Sequence, residues 1–153
     1  MRIALNLTLD CSVDSAWAGI TSPTGFTEVS GPLLGFRSLE KGGFPDRWTE
    51  GEHEVAMLAL GVMPVGRQII AISFHSKGES RIVCDTGRGL TWPLTLTTFW
   101  NHRMEVSPLP NGRTEFRDRL EFRAGILSPV LWLGYWVFWQ WRARGIIRAA
   151  RHW

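Results

Sequence analysis

Residues 128–153, SPVLWLGYWVFWQWRARGIIRAARHW, decide the fold. After Ser128-Pro129 the only helix-weakening residues are Gly134 and Gly145. Proline is tolerated in a first helical turn and serine is a good cap, so Ser128 is expected to cap one long helix. It runs from Val130 to about His152, about six turns at 3.6 residues each. At about 100° per residue, Trp132, Tyr135, Trp136, Trp139, Ala143, Ile146, Ala150 and Trp153 share one face. Gln140, Arg144, Arg148 and Arg151 lie roughly opposite, and Arg142 falls at the edge of the apolar face. In the first half Leu133, Val137 and Trp141 extend apolar character onto the arginine side.

A lone amphipathic helix must bury its apolar face, and the chain before it supplies a sheet. Arg2 to Asp10 alternates, with Ile3, Leu5, Leu7 and Leu9 on one side. That is a half-buried strand. Ser12 caps a short helix over Val13–Gly19, and a second helical turn lies near Phe26–Val29. Strands are expected near Gly35–Leu39 and over Glu52–Leu60, Arg67–Phe74, Ser80–Thr86, Thr95–Val106 and Arg113–Arg123. Gly61 with Met63-Pro64, Lys77-Gly78, Gly87 to Gly89 and Pro110-Asn111-Gly112 read as the turns between them. The fold class is therefore α+β: a curved antiparallel sheet of six to seven strands gripping a long C-terminal helix, with two short helices after the first strand. Residues 1–153 read as one domain, and the space between helix and sheet is the expected ligand site.

Parity fixes the last hairpin. In Arg113–Arg123 the odd residues are all charged, while Thr114, Phe116, Asp118, Leu120 and Phe122 form the inner set. In Thr95–Val106 the inner set is Trp100, His102, Met104 and Val106. A two-residue Asn111-Gly112 turn would oppose inner with outer residues. A three-residue Pro110-Asn111-Gly112 loop, with Gly112 at a positive φ, pairs Trp100 with Phe122, His102 with Leu120, Met104 with Asp118 and Val106 with Phe116. His102 and Asp118 become diagonal neighbours on an apolar wall, roughly 7–8 Å apart at Cβ. A buried carboxylate needs a partner, and His102, a backbone or hydroxyl donor, Arg142 or water are the candidates. Three roles stay open for the pair: a satisfied structural carboxylate, a polar anchor for an apolar ligand, or a catalytic acid/base pair. The expected binding wall is Trp100, Met104, Phe116, Leu120, Phe122, Trp136 and Trp139, with His102, Asp118 and Arg142 as its polar members.

Composition narrows the function classes. The chain has 153 residues, is 44 % hydrophobic and 20 % charged, and has a net charge of +3 and a mean hydropathy of −0.04. A disordered chain is excluded. The basic excess sits in Arg142, Arg144, Arg148 and Arg151, while the acidic and basic residues before Gly125 nearly balance. A cationic helix end suits the dipole, and nucleic-acid binding is not expected. Cys11 and Cys84 are expected to be reduced thiols; no secretory signal is read at the start, and a cytoplasmic location follows. Four scattered histidines, of which His53, His75 and His152 read as surface residues, show no metal spacing, and no cofactor is expected. Glu50, Glu52 and Glu54 read as a solvated strand face. The apolar collar of Leu133, Val137 and Trp141 has three readings: cover by a loop around residues 31–48, a homodimer or partner contact, or peripheral contact with a membrane.

Short motifs carry a resemblance: Trp48-Thr49-Glu50-Gly51 entering a strand, Gly61-Val62-Met63-Pro64-Val65-Gly66-Arg67 between strands, Asn111-Gly112-Arg113-Thr114 leading to Asp118-Arg119-Leu120-Glu121-Phe122, and Phe138 with Arg142 before a basic end. With the element order, these resemble the START / Bet v 1-like helix-grip superfamily, in particular its bacterial polyketide cyclase/dehydrase and lipid-transport branch. The resemblance implies a cavity for a hydrophobic molecule and, in its cyclases, catalysis mainly by shaping the substrate. The expected function is non-catalytic binding of a hydrophobic or aromatic small molecule. The alternatives are a cyclase or dehydratase using His102 and Asp118, and an interaction module whose aromatic side chains fill the cavity.

Overall fold

The structure, a computed structural model, describes residues Met1–Trp153. Strand β1 spans Arg2–Leu9, and Ser12 caps helix α1, Val13–Ile20, by accepting from Ser15 N. Helix α2 covers Pro23–Ser30. Strands β2 to β8 are Leu34–Ser38, Gly51–Ala59, Met63–Lys77, Ser80–Asp85, Arg88–Gly89, Phe99–Pro108 and Thr114–Arg123. Helix α3 is Ser128–Ala149, 22 residues. The expected α+β architecture is present. The sheet is open and antiparallel in the order β1-β8-β7-β5-β4-β3-β2, with the two-residue β6 paired to β4.

The β7–β8 register is the one parity selects. Trp100 pairs with Phe122, His102 with Leu120, Met104 with Asp118 and Val106 with Phe116. Every even residue of β8 is buried and no odd one is. The loop places both Asn111 and Gly112 at positive φ, 66° and 72°. Asparagine and glycine are the residues that adopt this conformation at least cost.

Two indoles pin α3 across the sheet. Trp132 Nε1 donates to Arg2 O on the edge strand β1, 2.9 Å, and Trp141 Nε1 donates to Gly31 O at the C-terminal cap of α2, 3.1 Å. The helix is thus tied to one edge of the sheet and to α2, which packs between it and β2. Beneath its second half lies the larger apolar cluster, with Val29, Val55, Val83, Phe116 and Ile146 at its centre. A smaller cluster of Ile3, Leu120, Phe122 and Trp139 lies beneath the first half. No helix is long and apolar enough to cross a membrane.

Several local expectations are corrected. Ser128 does not cap α3: its Oγ donates to Gly125 O and accepts from Ala124 N, holding the 3-10 turn Gly125–Leu127 that precedes the helix. The second helical turn, expected near Phe26–Val29, starts earlier: Ser22 and Pro23 are the cap and first residue of α2, with Ser22 Oγ accepting from Gly25 N. Met63-Pro64 belongs to β4, and Arg88–Gly89, read as part of a turn, forms β6. Strand β7 begins only at Phe99, because Leu94–Leu96 closes a 3-10 turn. His53 is buried rather than superficial, with Nδ1 3.1 Å from Glu40 Oε1 and Nε2 3.0 Å from Thr49 O.

Candidate functional site

A cavity of about 420 Å³ lies between α3 and the sheet. One wall comes from Phe26 on α2 and Leu34 and Phe36 on β2. The opposite wall is the α3 surface of Gly134, Tyr135, Phe138 and Trp139. Trp100 and His102 of β7 and Asp85 at the end of β5 form the floor, and Arg88 stands at β6. Phe26 and Phe36 lie 4.5 Å apart between ring centroids, and Trp100 makes edge contacts with Tyr135 and Trp139 at 5.6 and 6.3 Å. The chamber is aromatic on both sides, with Asp85, His102 and Arg142 at the β5–β7 end and Gln68, Arg88 and Thr97 as its other polar members.

Asp118 organises those polar atoms from below. Its Oδ1 accepts from His102 Nε2 at 2.8 Å and from Trp139 Nε1 at 3.0 Å, and its Oδ2 accepts from Arg142 Nη1. Arg142 Nη2 lies 3.0 Å from Met104 Sδ, and its guanidinium sits 5.8 Å from the Trp139 ring. Complete burial would raise the pKa of the Asp118 carboxyl. The charges of Arg142 and His102 and the hydrogen bonds from His102 and Trp139 outweigh it and hold the pKa at about 2. An ionised carboxylate only accepts, so His102 carries its proton on Nε2. Its Nδ1 has no protein partner and is not sealed away. It is the nitrogen left for anything in the cavity.

Asp85 is the site residue the sequence reading missed. Its Oδ1 accepts from Ala71 N and Gly87 N, both at 2.9 Å, and its Oδ2 accepts from Trp100 Nε1 at 3.2 Å. It pairs with His102 across the β5–β7 ladder. Burial pushes its carboxyl above the usual range; the His102 charge and the three N–H donors offset part of that rise. A faint signal existed, since an aspartate two residues before a glycine suits a side-chain turn at a strand end. Consecutive Ile82 and Val83, both buried, hide the parity that would have turned Asp85 inward.

The expected wall divides in two. Trp100, His102, Trp139 and Arg142 line the cavity. Met104, Phe116, Leu120 and Phe122 are buried with Asp118 in the layer beneath and do not reach it. Trp136 is a correction: it is 42 % exposed and stacks on Trp132 with centroids 6.4 Å apart, outside the chamber. The apparent aromatic face is too wide for one sheet to cover, so its outer residues remain in solvent. Conversely Val137, assigned to the collar, stands on the cavity rim while 53 % exposed. Leu133 is exposed, and Trp141 is held by Gly31 O, so the segment at residue 31 covers the collar only in part. Around this volume the aromatic rings stand at the walls.

Comparison with known proteins identifies the architecture. No family model matches the chain, and no curated protein matches it. Solved structures do. A protein from Chromobacterium violaceum superposes with a TM-score of 0.66 at 14 % identity, over 97 % of this chain and 96 % of its own. One from Arthrobacter aurescens gives 0.71 at 12 %, over 98 % and 86 %, and a conserved protein from Geobacillus kaustophilus gives 0.63 at 15 %, over 99 % and 95 %. At such identities the likeness shows the fold alone: an antiparallel sheet around a C-terminal helix, in the helix-grip manner.

Proposed function

We propose that the protein binds a hydrophobic or aromatic small molecule in the chamber between α3 and the sheet, as carriers and receptors of the START / Bet v 1-like type do. The observation that carries this reading is a chamber of about 420 Å³ with aromatic side chains on both walls and only a few polar groups among them. Removing an apolar ligand from water provides roughly 25 cal/mol per Å² of buried area, and the few polar groups fix its orientation. His102 Nδ1 and the Asp85 carboxyl are the groups that would do so. Asp118 supports the site by holding His102, Trp139 and Arg142 in place.

The experiment is titration with the neutral fluorescent probe N-phenyl-1-naphthylamine. Wild-type protein is expected to give saturable enhancement at one equivalent. Gly134→Phe is expected to lose most of it while melting no lower, because Gly134 lines the cavity with open space where a Cβ would stand. Absence of saturable binding, or equal binding by the variant, overturns the proposal.

A second reading keeps the chamber and adds chemistry. His102 is oriented by an ionised aspartate and leaves its other nitrogen toward the cavity, the arrangement of a general base. In a cyclase or dehydratase it would take a proton from carbon next to a substrate carbonyl. Under this reading His102→Ala keeps affinity and loses turnover; under simple binding there is no turnover to lose.

A further inference from the structure

If the chamber is a small-molecule site, as proposed above, the charges that face it restrict what enters. Arg142 is committed to Asp118, and Arg88 is committed to Glu52 through two hydrogen bonds of 2.6 and 3.1 Å. Tyr135 and Thr97 share a neutral hydroxyl contact of 3.0 Å. His102 gives its only N–H to Asp118 when neutral. Asp85 differs from all of these. Its three donors are the neutral N–H groups of Ala71, Gly87 and Trp100, and no arginine or lysine pairs with it. It lines the same cavity as Trp100, which donates to it, and as Tyr135 and Trp139, which touch the Trp100 ring. The nearest group that can carry positive charge is His102, its cross-strand neighbour, whose Nε2 is committed to Asp118. A partly buried carboxylate with no cation of its own is costly, so Asp85 is an acceptor that a ligand cation would complete.

We propose that the ligand is a hydrophobic or aromatic amine whose ammonium group rests against Asp85. The ammonium would donate a charge-assisted hydrogen bond to the carboxylate, stronger than any neutral alcohol can make. An anionic head would meet Asp85 while both arginines at the chamber were already paired. Burial favours the neutral acid at Asp85, and an ammonium beside it would favour the ionised form.

The test is calorimetric titration of the full chain at about pH 8, where a primary alkylamine is mostly protonated, with three probes of one shape: 2-naphthylmethylamine, 2-naphthylmethanol and 2-naphthoate. The amine is expected to bind about tenfold more tightly than the alcohol, a difference of about 1.4 kcal/mol, and the naphthoate most weakly. Asp85→Asn is expected to bring the amine-to-alcohol ratio to about one. Glu121→Gln removes the same charge from the outer face, where Glu121 pairs with Arg2, and is expected to leave the ratio as it is. An alcohol that matches the amine, a naphthoate that binds tightest, or a ratio that survives Asp85→Asn overturns the charge assignment while the chamber remains a binding site. Failure of all three probes to bind overturns the chamber reading and this inference together. If Asp85→Asn does not fold, the wild-type ranking decides alone.

Discussion

Arg142 of α3 and Asp118 of β8 form an ion pair across the helix–sheet interface with side chains 3 % and 0 % exposed. Neither charge has water to fall back on. Removing Asp118 leaves Arg142 buried and unpaired, and removing Arg142 leaves Asp118 with only His102 and Trp139. Breaking a buried pair costs about 3–5 kcal/mol. Asp118→Ala and Arg142→Ala are each expected to lower stability by this amount in urea denaturation. The double variant is expected to lose much less than the two losses combined, because the second substitution removes the stranded charge. Additive losses would show that the pair does not join helix and sheet.

Acid should expose the same carboxylate. The Asp118 pKa is depressed in the folded chain, so its contribution is complete above the unfolded value near 4 and is lost as pH falls toward about 2. Stability is expected to drop across that window by on the order of 2 kcal/mol more in the wild type than in Asp118→Asn. Parallel acid titrations of unfolding free energy measure the difference.

Asp85 has the opposite sign. A carboxyl raised by burial costs nothing below its unfolded pKa, and the cost grows as pH rises and the unfolded chain ionises first. Melting of ligand-free wild type and Asp85→Asn at mildly acidic and mildly alkaline pH is expected to favour the variant increasingly as pH rises. A difference independent of pH would mean that Asp85 ionises freely in the fold.

Two glycines of one helix should respond in opposite directions to alanine. At Gly134 a Cβ meets nothing, so Gly134→Ala is expected to stabilise by about 1 kcal/mol through helix propensity. At Gly145 a Cβ would stand 2.8 Å from Val29 O of α2, backbone that cannot turn aside. Gly145→Ala is expected to destabilise by about 1–3 kcal/mol. Thermal unfolding of both variants checks the contrast.

Much of this fold was legible because its most informative strand is regular. Five charged odd residues in β8 leave a single possible inner face, and that face selects a three-residue loop and with it the neighbours of His102. The buried Asp118 needed a partner on grounds of desolvation, and two of the named candidates, His102 and Arg142, both bind it. The chamber itself was less legible. Its far wall comes from Phe26, Leu34 and Phe36, which lie in short elements whose contact with α3 depends on how far the sheet bends. Trp136 carries the same apolar signal as Trp139, yet helical periodicity cannot say where the sheet stops covering the helix. Asp85 was hidden because β5 buries two successive apolar residues and so lacks a clean alternation.

The indole N–H signals of the nine tryptophans offer the most direct test. In a two-dimensional ¹⁵N–¹H spectrum titrated with neutral 2-naphthylmethanol, the signals of Trp100 and Trp139, which line the chamber, are expected to shift and saturate together. Those of Trp132 and Trp136, stacked outside it, are expected to stay in place. Movement confined to Trp132 and Trp136, or no movement at any indole as the probe approaches its solubility limit, would contradict an internal binding site.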